Sequence, residues 1–139
     1  MPDLEIIEKR LAIFVADLEN LQKHRNISVE ELKRDRDLEW ILERGIYLLI
    51  QNLFDMLAHI VAADLKENWD YYSDIAEILS KYKVISKEDE QILKQMAGFR
   101  NRLAHEYLSL DTDVLVDIVK NRLSDFSKFV LIIKDYCNI

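Results

Sequence analysis

Only three of the 139 residues are glycine or proline: Pro2, Gly45 and Gly98. An average chain carries the two together at about 12%. Hairpin turns and βα loops call on residues that tolerate positive φ, so a β-rich or α/β chain of this size needs many more. Two isolated glycines cannot form a phosphate-cradling loop. The scarcity predicts an all-α chain and excludes the common nucleotide-binding α/β folds.

Half of the residues are apolar. A chain of this length buries roughly two-thirds of its unfolded surface, so the core needs no covalent staples. That agrees with a single cysteine, Cys137, which has no internal disulfide partner and makes no zinc cluster. Asp3, Glu5 and Glu8 interrupt any signal-like apolar run at the start. The apolar stretches look too short for the ~18 residues of a membrane span. These features predict one cytoplasmic domain over 1–139, without a membrane. The net charge of −7 argues against general nucleic-acid coating and leaves room for a local basic site.

Apolar periodicity divides the chain into helices. The first is expected from about Asp3 to Lys23, with Leu4, Ile7, Leu11, Phe14, Val15, Leu18 and Leu21 on one face. Ser28 and Glu31 form a capping box that opens a second, long helix reaching about Leu65. A bend is expected at Lys33–Glu39, and the start of this helix is expected to project beyond the bundle or pack on a partner. Asn68-Trp69-Asp70 reads as a turn, followed by a short helix at Tyr72–Lys81. Ser86 with Asp89 caps a helix from Lys87 to about Tyr107. Asp111 caps the last helix, whose stripe is Leu115, Ile118, Val119, Leu123, Phe126, Val130 and Ile133. The expected architecture is an up-and-down four-helix bundle with an extra short helix.

Two polar constellations stand out. Arg44, Gln51, Asp55 and His59 share one stripe of the second helix, roughly 80° wide at about 100° per residue. The rest of that circumference is apolar: Ile41, Leu42, Ile46, Leu49, Leu53, Leu57, Ile60 and Val61. A solvated face is one reading, but such faces are usually Lys- and Glu-rich, whereas Arg, Gln, Asp and His suit a groove. His59 by itself reads as a hydrogen-bonded structural histidine, with Asp55 four residues away to hold its tautomer. The second constellation is FRNRLAHEY, Phe99 to Tyr107. By composition alone it reads first as a surface helix terminus with capping cations, and its residue types also suit a phosphodiester site. Phosphodiester chemistry needs a proton-transfer group near neutrality, which is histidine, and a fixed cation for charge on phosphorus, which arginine supplies bidentately. Arg100 and His105 are those residue types. Arg102 lies about 200° around the helix from Arg100 and reads as a packing or ion-pairing residue.

Arg100-x4-His105 followed by Tyr107 resembles the Arg-x(4–6)-His motif of the HEPN superfamily, and the His-x-Tyr extension is similar to its HepT-like toxin branch. ERGIYLLIQNLFDMLAHI resembles the second helix of that branch, with Arg44, Asp55 and His59 at its recurrent polar positions. Gln51 stands where many members carry Glu. The Trp69–Leu79 stretch and LSDFSKFV are also similar. The resemblance implies a small HEPN-like helical bundle that forms a homodimer, two motifs facing one cleft, and metal-independent endoribonuclease activity without a cofactor. It implies that His105 is the general acid/base, that Arg100 stabilises the scissile phosphate of RNA, and that Asn101 orients the site. The RNA 2′-hydroxyl would then be the nucleophile, and DNA no substrate. It further implies a minimal nucleotidyltransferase antitoxin that places AMP on Tyr107, adding bulk and negative charge near Arg100. The alternative is a non-catalytic helical module that binds a nucleotidyltransferase or a nucleotide.

Overall fold

The computed structural model describes residues 2–105 and 111–139, with His105 described by its backbone alone. Among the described residues seven α-helices run in the order α1 (Leu4–Gln22), α2 (Val29–Lys33), α3 (Arg36–Ala63), α4 (Tyr72–Lys81), α5 (Lys87–His105), α6 (Thr112–Asp117) and α7 (Leu123–Cys137). A π-helical turn, Ile118–Arg122, joins α6 to α7, so the closing helix of the bundle is one rod with a bulge. Among the described residues there is no strand.

Helix α3 is the axis of the fold and packs on α1, α2, α4, α5 and α6. Its Leu42, Ile46, Leu49, Leu53, Phe54, Met56, Leu57 and Val61 are fully buried. From α1 come Ile7, Leu11, Phe14 and Leu18, and from the last rod Leu115, Val119, Phe126, Phe129 and Ile133. Phe14 meets Phe126 at 6.2 Å between ring centroids, tying the first rod to the last. An 18-residue window of α3 reaches a mean hydropathy of 1.6, so the helix is long and apolar enough to cross a membrane by composition. The expectation that no stretch reaches that length was too strong. Half of the window is buried inside the bundle, where α3 serves as the core helix.

The long second helix is in fact two. It breaks at Arg34 and Asp35, because the Asp35 carboxylate accepts the Leu38 amide at 3.0 Å and restarts the helix. The intervening charged residues offer nothing to bury. The freed α2 does not project: its Leu32 is fully buried and it packs on α3 and α6. The Ser28 cap forms as expected, with its hydroxyl accepting from the Glu31 amide at 3.1 Å. So does the Ser86 cap of α5, which accepts the Asp89 amide at 3.0 Å.

Three of the sharp helix ends carry left-handed backbone on residues other than glycine: Lys66 (φ 56°), Lys83 (φ 60°) and Asn138 (φ 57°). At the end of α4 the Lys83 amide bonds the Ser80 carbonyl and the Val84 amide bonds the Leu79 carbonyl. That is a Schellman closure with lysine in the glycine position.

Candidate active site

The polar stripe of α3 faces the C-terminal half of α5, and Arg100 crosses between them. Its Nε and Nη2 both donate to Gln51 Oε1, at 3.2 and 2.9 Å, and Nη2 reaches the Tyr47 hydroxyl at 3.4 Å. Nη1 donates to Asn101 Oδ1 at 3.3 Å. The guanidinium carbon lies 5.3 Å from the Tyr47 ring centroid and 5.2 Å from that of Tyr72, within cation–π range of both. Tyr72 is in turn stacked on buried Phe54 at 4.5 Å. Arg100 is therefore fixed in orientation by α3, α4 and α5 together, while remaining only half-buried.

Gln51 is the hub. While Oε1 accepts from Arg100, its Nε2 donates to the Tyr72 hydroxyl at 2.9 Å and to Asp55 Oδ1 at 3.3 Å. The other Asp55 oxygen takes Arg10 of α1 at 3.3 Å. The one carboxylate in this chain of contacts is thus paired with Arg10, and Arg100 rests on a neutral amide. Among the described residues no carboxylate compensates the Arg100 charge, which suits a phosphate-binding cation. Burial pushes the Tyr72 phenol above its ordinary range, against the pull of the Arg100 charge, so it is a neutral hydroxyl in the site.

Of the residues singled out in the sequence, the structure brings Arg100, Asn101, Gln51 and Asp55 together. Arg44 sits one step away, its guanidinium 5.3 Å from the Tyr47 ring. It lines, with Trp40 and Leu103, a hollow on that side. His59 lies elsewhere: its Nε2 accepts the Asp3 backbone N–H at 2.9 Å, a contact that pins the start of α1 to α3. Asp55 does not hold its ring; that carboxylate is taken by Gln51 and Arg10. The side chain of His105 and the whole of Tyr107 lie outside the described residues. Arg102 is exposed. Ile41, counted with the apolar circumference of α3, is 60% exposed, beside Trp40 at 58%.

Sequence reasoning missed Tyr47, Tyr72 and Arg10. Tyr47 had a signal, since it lies four residues before Gln51 and three after Arg44. Tyr72 and Arg10 come from other helices, and no local spacing links them to the stripe.

Comparison with known proteins shows the family and the fold. The profile of the family described as Ribonuclease HepT-like matches residues 13–133. A tRNA nuclease HepT from Aphanizomenon flos-aquae is 31% identical over 132 residues, which cover 94% of this chain and 89% of that protein. An mRNA nuclease HepT from Shewanella oneidensis is 34% identical over 61 residues, 44% of this chain and 46% of that protein. Among solved structures, a tri-AMPylated HEPN toxin of Shewanella oneidensis in complex with its MNT antitoxin superposes with a TM-score of 0.85. It is 24% identical, and the match covers 97% of this chain and 99% of that one. At that identity the superposition establishes the shared fold.

Proposed function

Since the chain belongs to the HepT-like ribonuclease family, we propose that it is a metal-independent endoribonuclease toxin of a toxin–antitoxin pair, acting on RNA in the cytoplasm. The observation that carries this reading is Arg100, oriented by Gln51, Tyr47 and Tyr72 and, among the described residues, without a carboxylate partner. In the proposed reaction the RNA 2′-oxygen attacks the adjacent phosphorus and the bond from phosphorus to the 5′-oxygen breaks. A 2′,3′-cyclic phosphate and a 5′-hydroxyl end result. His105, five residues beyond Arg100, moves the proton, and Arg100 stabilises the charge that builds on the phosphoryl oxygens. Asn101 and Asp55 support the arginine, the first directly and the second through Gln51. Arg44 adds positive potential beside it.

The functional unit is a homodimer in which two such motifs share a cleft. Its partner is a minimal nucleotidyltransferase that neutralises the toxin by transferring AMP from ATP to the Tyr107 hydroxyl, releasing pyrophosphate. The tri-AMPylated relative in complex with its MNT antitoxin supports this reading.

The test is RNA cleavage by the purified, unmodified protein in chelator, with end-group analysis of the products. Cleavage with cyclic-phosphate ends is expected, and His105→Ala should lose at least about 100-fold in rate, in line with general acid–base catalysis. Its helical circular dichroism should be unchanged. Wild-type cleavage in His105→Ala, or cleavage that chelator abolishes, overturns the mechanism. Incubation with the nucleotidyltransferase and ATP should add AMP to the wild type and none at the position in Tyr107→Phe.

A further inference from the structure

On the α4 side of Arg100 lies a hollow of about 470 Å³ that the reaction just described leaves unused. Its floor is one face of α5, where Lys94, Ala97, Gly98 and Asn101 are spaced three, four and seven residues apart. Its wall is the turn before α4, with Trp69, Tyr71 and Tyr72. Two details mark the hollow as open. A Cβ built on Gly98 meets nothing within 4 Å. Tyr71 is 73% exposed, an unusual position for a large aromatic. The Asp70 and Tyr71 amides both donate to Asp74 Oδ2, at 3.1 and 3.0 Å, so the turn that carries the ring is fixed.

The charges around the hollow narrow what fits. Lys94 is held by Glu77 at 2.9 Å and Glu90 at 3.2 Å, so it brings no free cation. Among the described lining residues, the cation left at the rim is Arg100. Asn101 gives its Oδ1 to Arg100, and among the described residues its amide hydrogens meet no acceptor, so they can serve a ligand. The combination is a cation at one edge, exposed aromatic faces beside it, and a floor shaved to Gly and Ala.

We infer that this hollow is a base-binding subsite: it takes the unpaired nucleobase next to the phosphate held by Arg100 and stacks it on Tyr71. A phosphate on Arg100 places its neighbouring base within the same hollow, because the arginine lines it. Stacking on an aromatic face accepts any base, so the subsite selects unpaired nucleotides over paired ones rather than one letter. This inference rests on the ribonuclease reading, and the test below separates the two.

Trp69 lines the hollow, and Trp40 is the second of the two tryptophans. In a Trp40→Phe background Trp69 therefore reports occupancy by its fluorescence. The probe is a 2′-O-methyl tetranucleotide, which cannot be cleaved through its 2′-oxygen, compared with the same tetranucleotide carrying one abasic position. The intact probe should quench Trp69, and the best-placed abasic position should weaken binding about tenfold, within the range for loss of one base–aromatic stack. Tyr71→Ala should do the same, Tyr71→Phe should restore binding, and Gly98→Leu should block the hollow. Since Tyr71 is exposed and Gly98 faces open space, these substitutions leave the core untouched.

Equal affinity of Tyr71→Ala, Gly98→Leu and wild type for the intact probe overturns the subsite, even where wild type cleaves RNA. Tyr71-dependent quenching without RNA cleavage by wild type overturns the nuclease reading and upholds the subsite.

Discussion

Gln51 decides how Arg100 works. A neutral acceptor orients the guanidinium, whose charge the proposed reaction assigns to a phosphate, while Asp55 is turned towards Arg10. Gln51 acts through Arg100, so its role is positioning. Gln51→Leu keeps the size but removes the acceptor, and kcat/KM for RNA should fall about tenfold, the loss of one strong hydrogen bond to a charged group. Gln51→Glu keeps an oxygen where Arg100 binds but pairs its charge with a carboxylate, so it should not restore that loss. Steady-state kinetics on one RNA checks both. Wild-type activity in Gln51→Glu would show that the acceptor alone, and not the neutrality of the amide, is what Arg100 needs.

The two glycines belong to the same scale and answer different needs. A Cβ on Gly45 would stand 3.0 Å from Leu21 Cδ2, so its absence lets α1 and α3 approach. Gly98 has open space in front of it, and its absence of a side chain keeps the hollow clear.

Among the elements, the helix ends show what a chain with two glycines does without. Left-handed backbone on an ordinary residue costs about 1–2 kcal/mol, and α4 closes on Lys83 in that conformation. Lys83 is exposed and both closing bonds are backbone to backbone. Lys83→Gly should therefore stabilise the fold by about 1 kcal/mol after the entropy of glycine in the unfolded chain is deducted. For a domain of this size that is a rise in Tm of about 4 °C by calorimetry. A lower Tm would mean that the Lys83 side chain contributes more than its backbone costs.

The Asp35 break was half legible. The charge-rich stretch from Lys33 to Glu39 suggested a bend, but a cap within a charged run looks in sequence like another surface carboxylate. The short helix Tyr72–Lys81 and the Ser86 cap were legible to the residue, since their signals lie within one turn of chain.

Across the whole molecule, a net charge of −7 would confine the proposed RNA substrate to the cationic site around Arg100. If two to three phosphates are engaged, the slope of log K against log salt should be about −1.4 to −2.1 for single-stranded RNA. Fluorescence anisotropy over 50–300 mM salt measures it. A slope steeper than about −5 would mean that RNA spreads over the acidic surface and that the site is wrongly bounded.

What the sequence determined by itself is everything that depends on neighbours within a few turns: the all-helical class, most caps, the buried stripes, and a motif in which Arg100 and His105 sit five residues apart. Periodicity and capping are local properties, and one chain suffices to read them. The tertiary structure decided which polar groups meet. His59 and Asp55 share a stripe in sequence, yet α1 brings Asp3 to the one and Arg10 to the other. Likewise, only the packing of α4 against α3 and α5 puts Tyr72 beside Arg100 and opens the hollow next to it. Contacts between helices depend on how their axes cross, and residues about fifty positions apart carry no spacing signal for that.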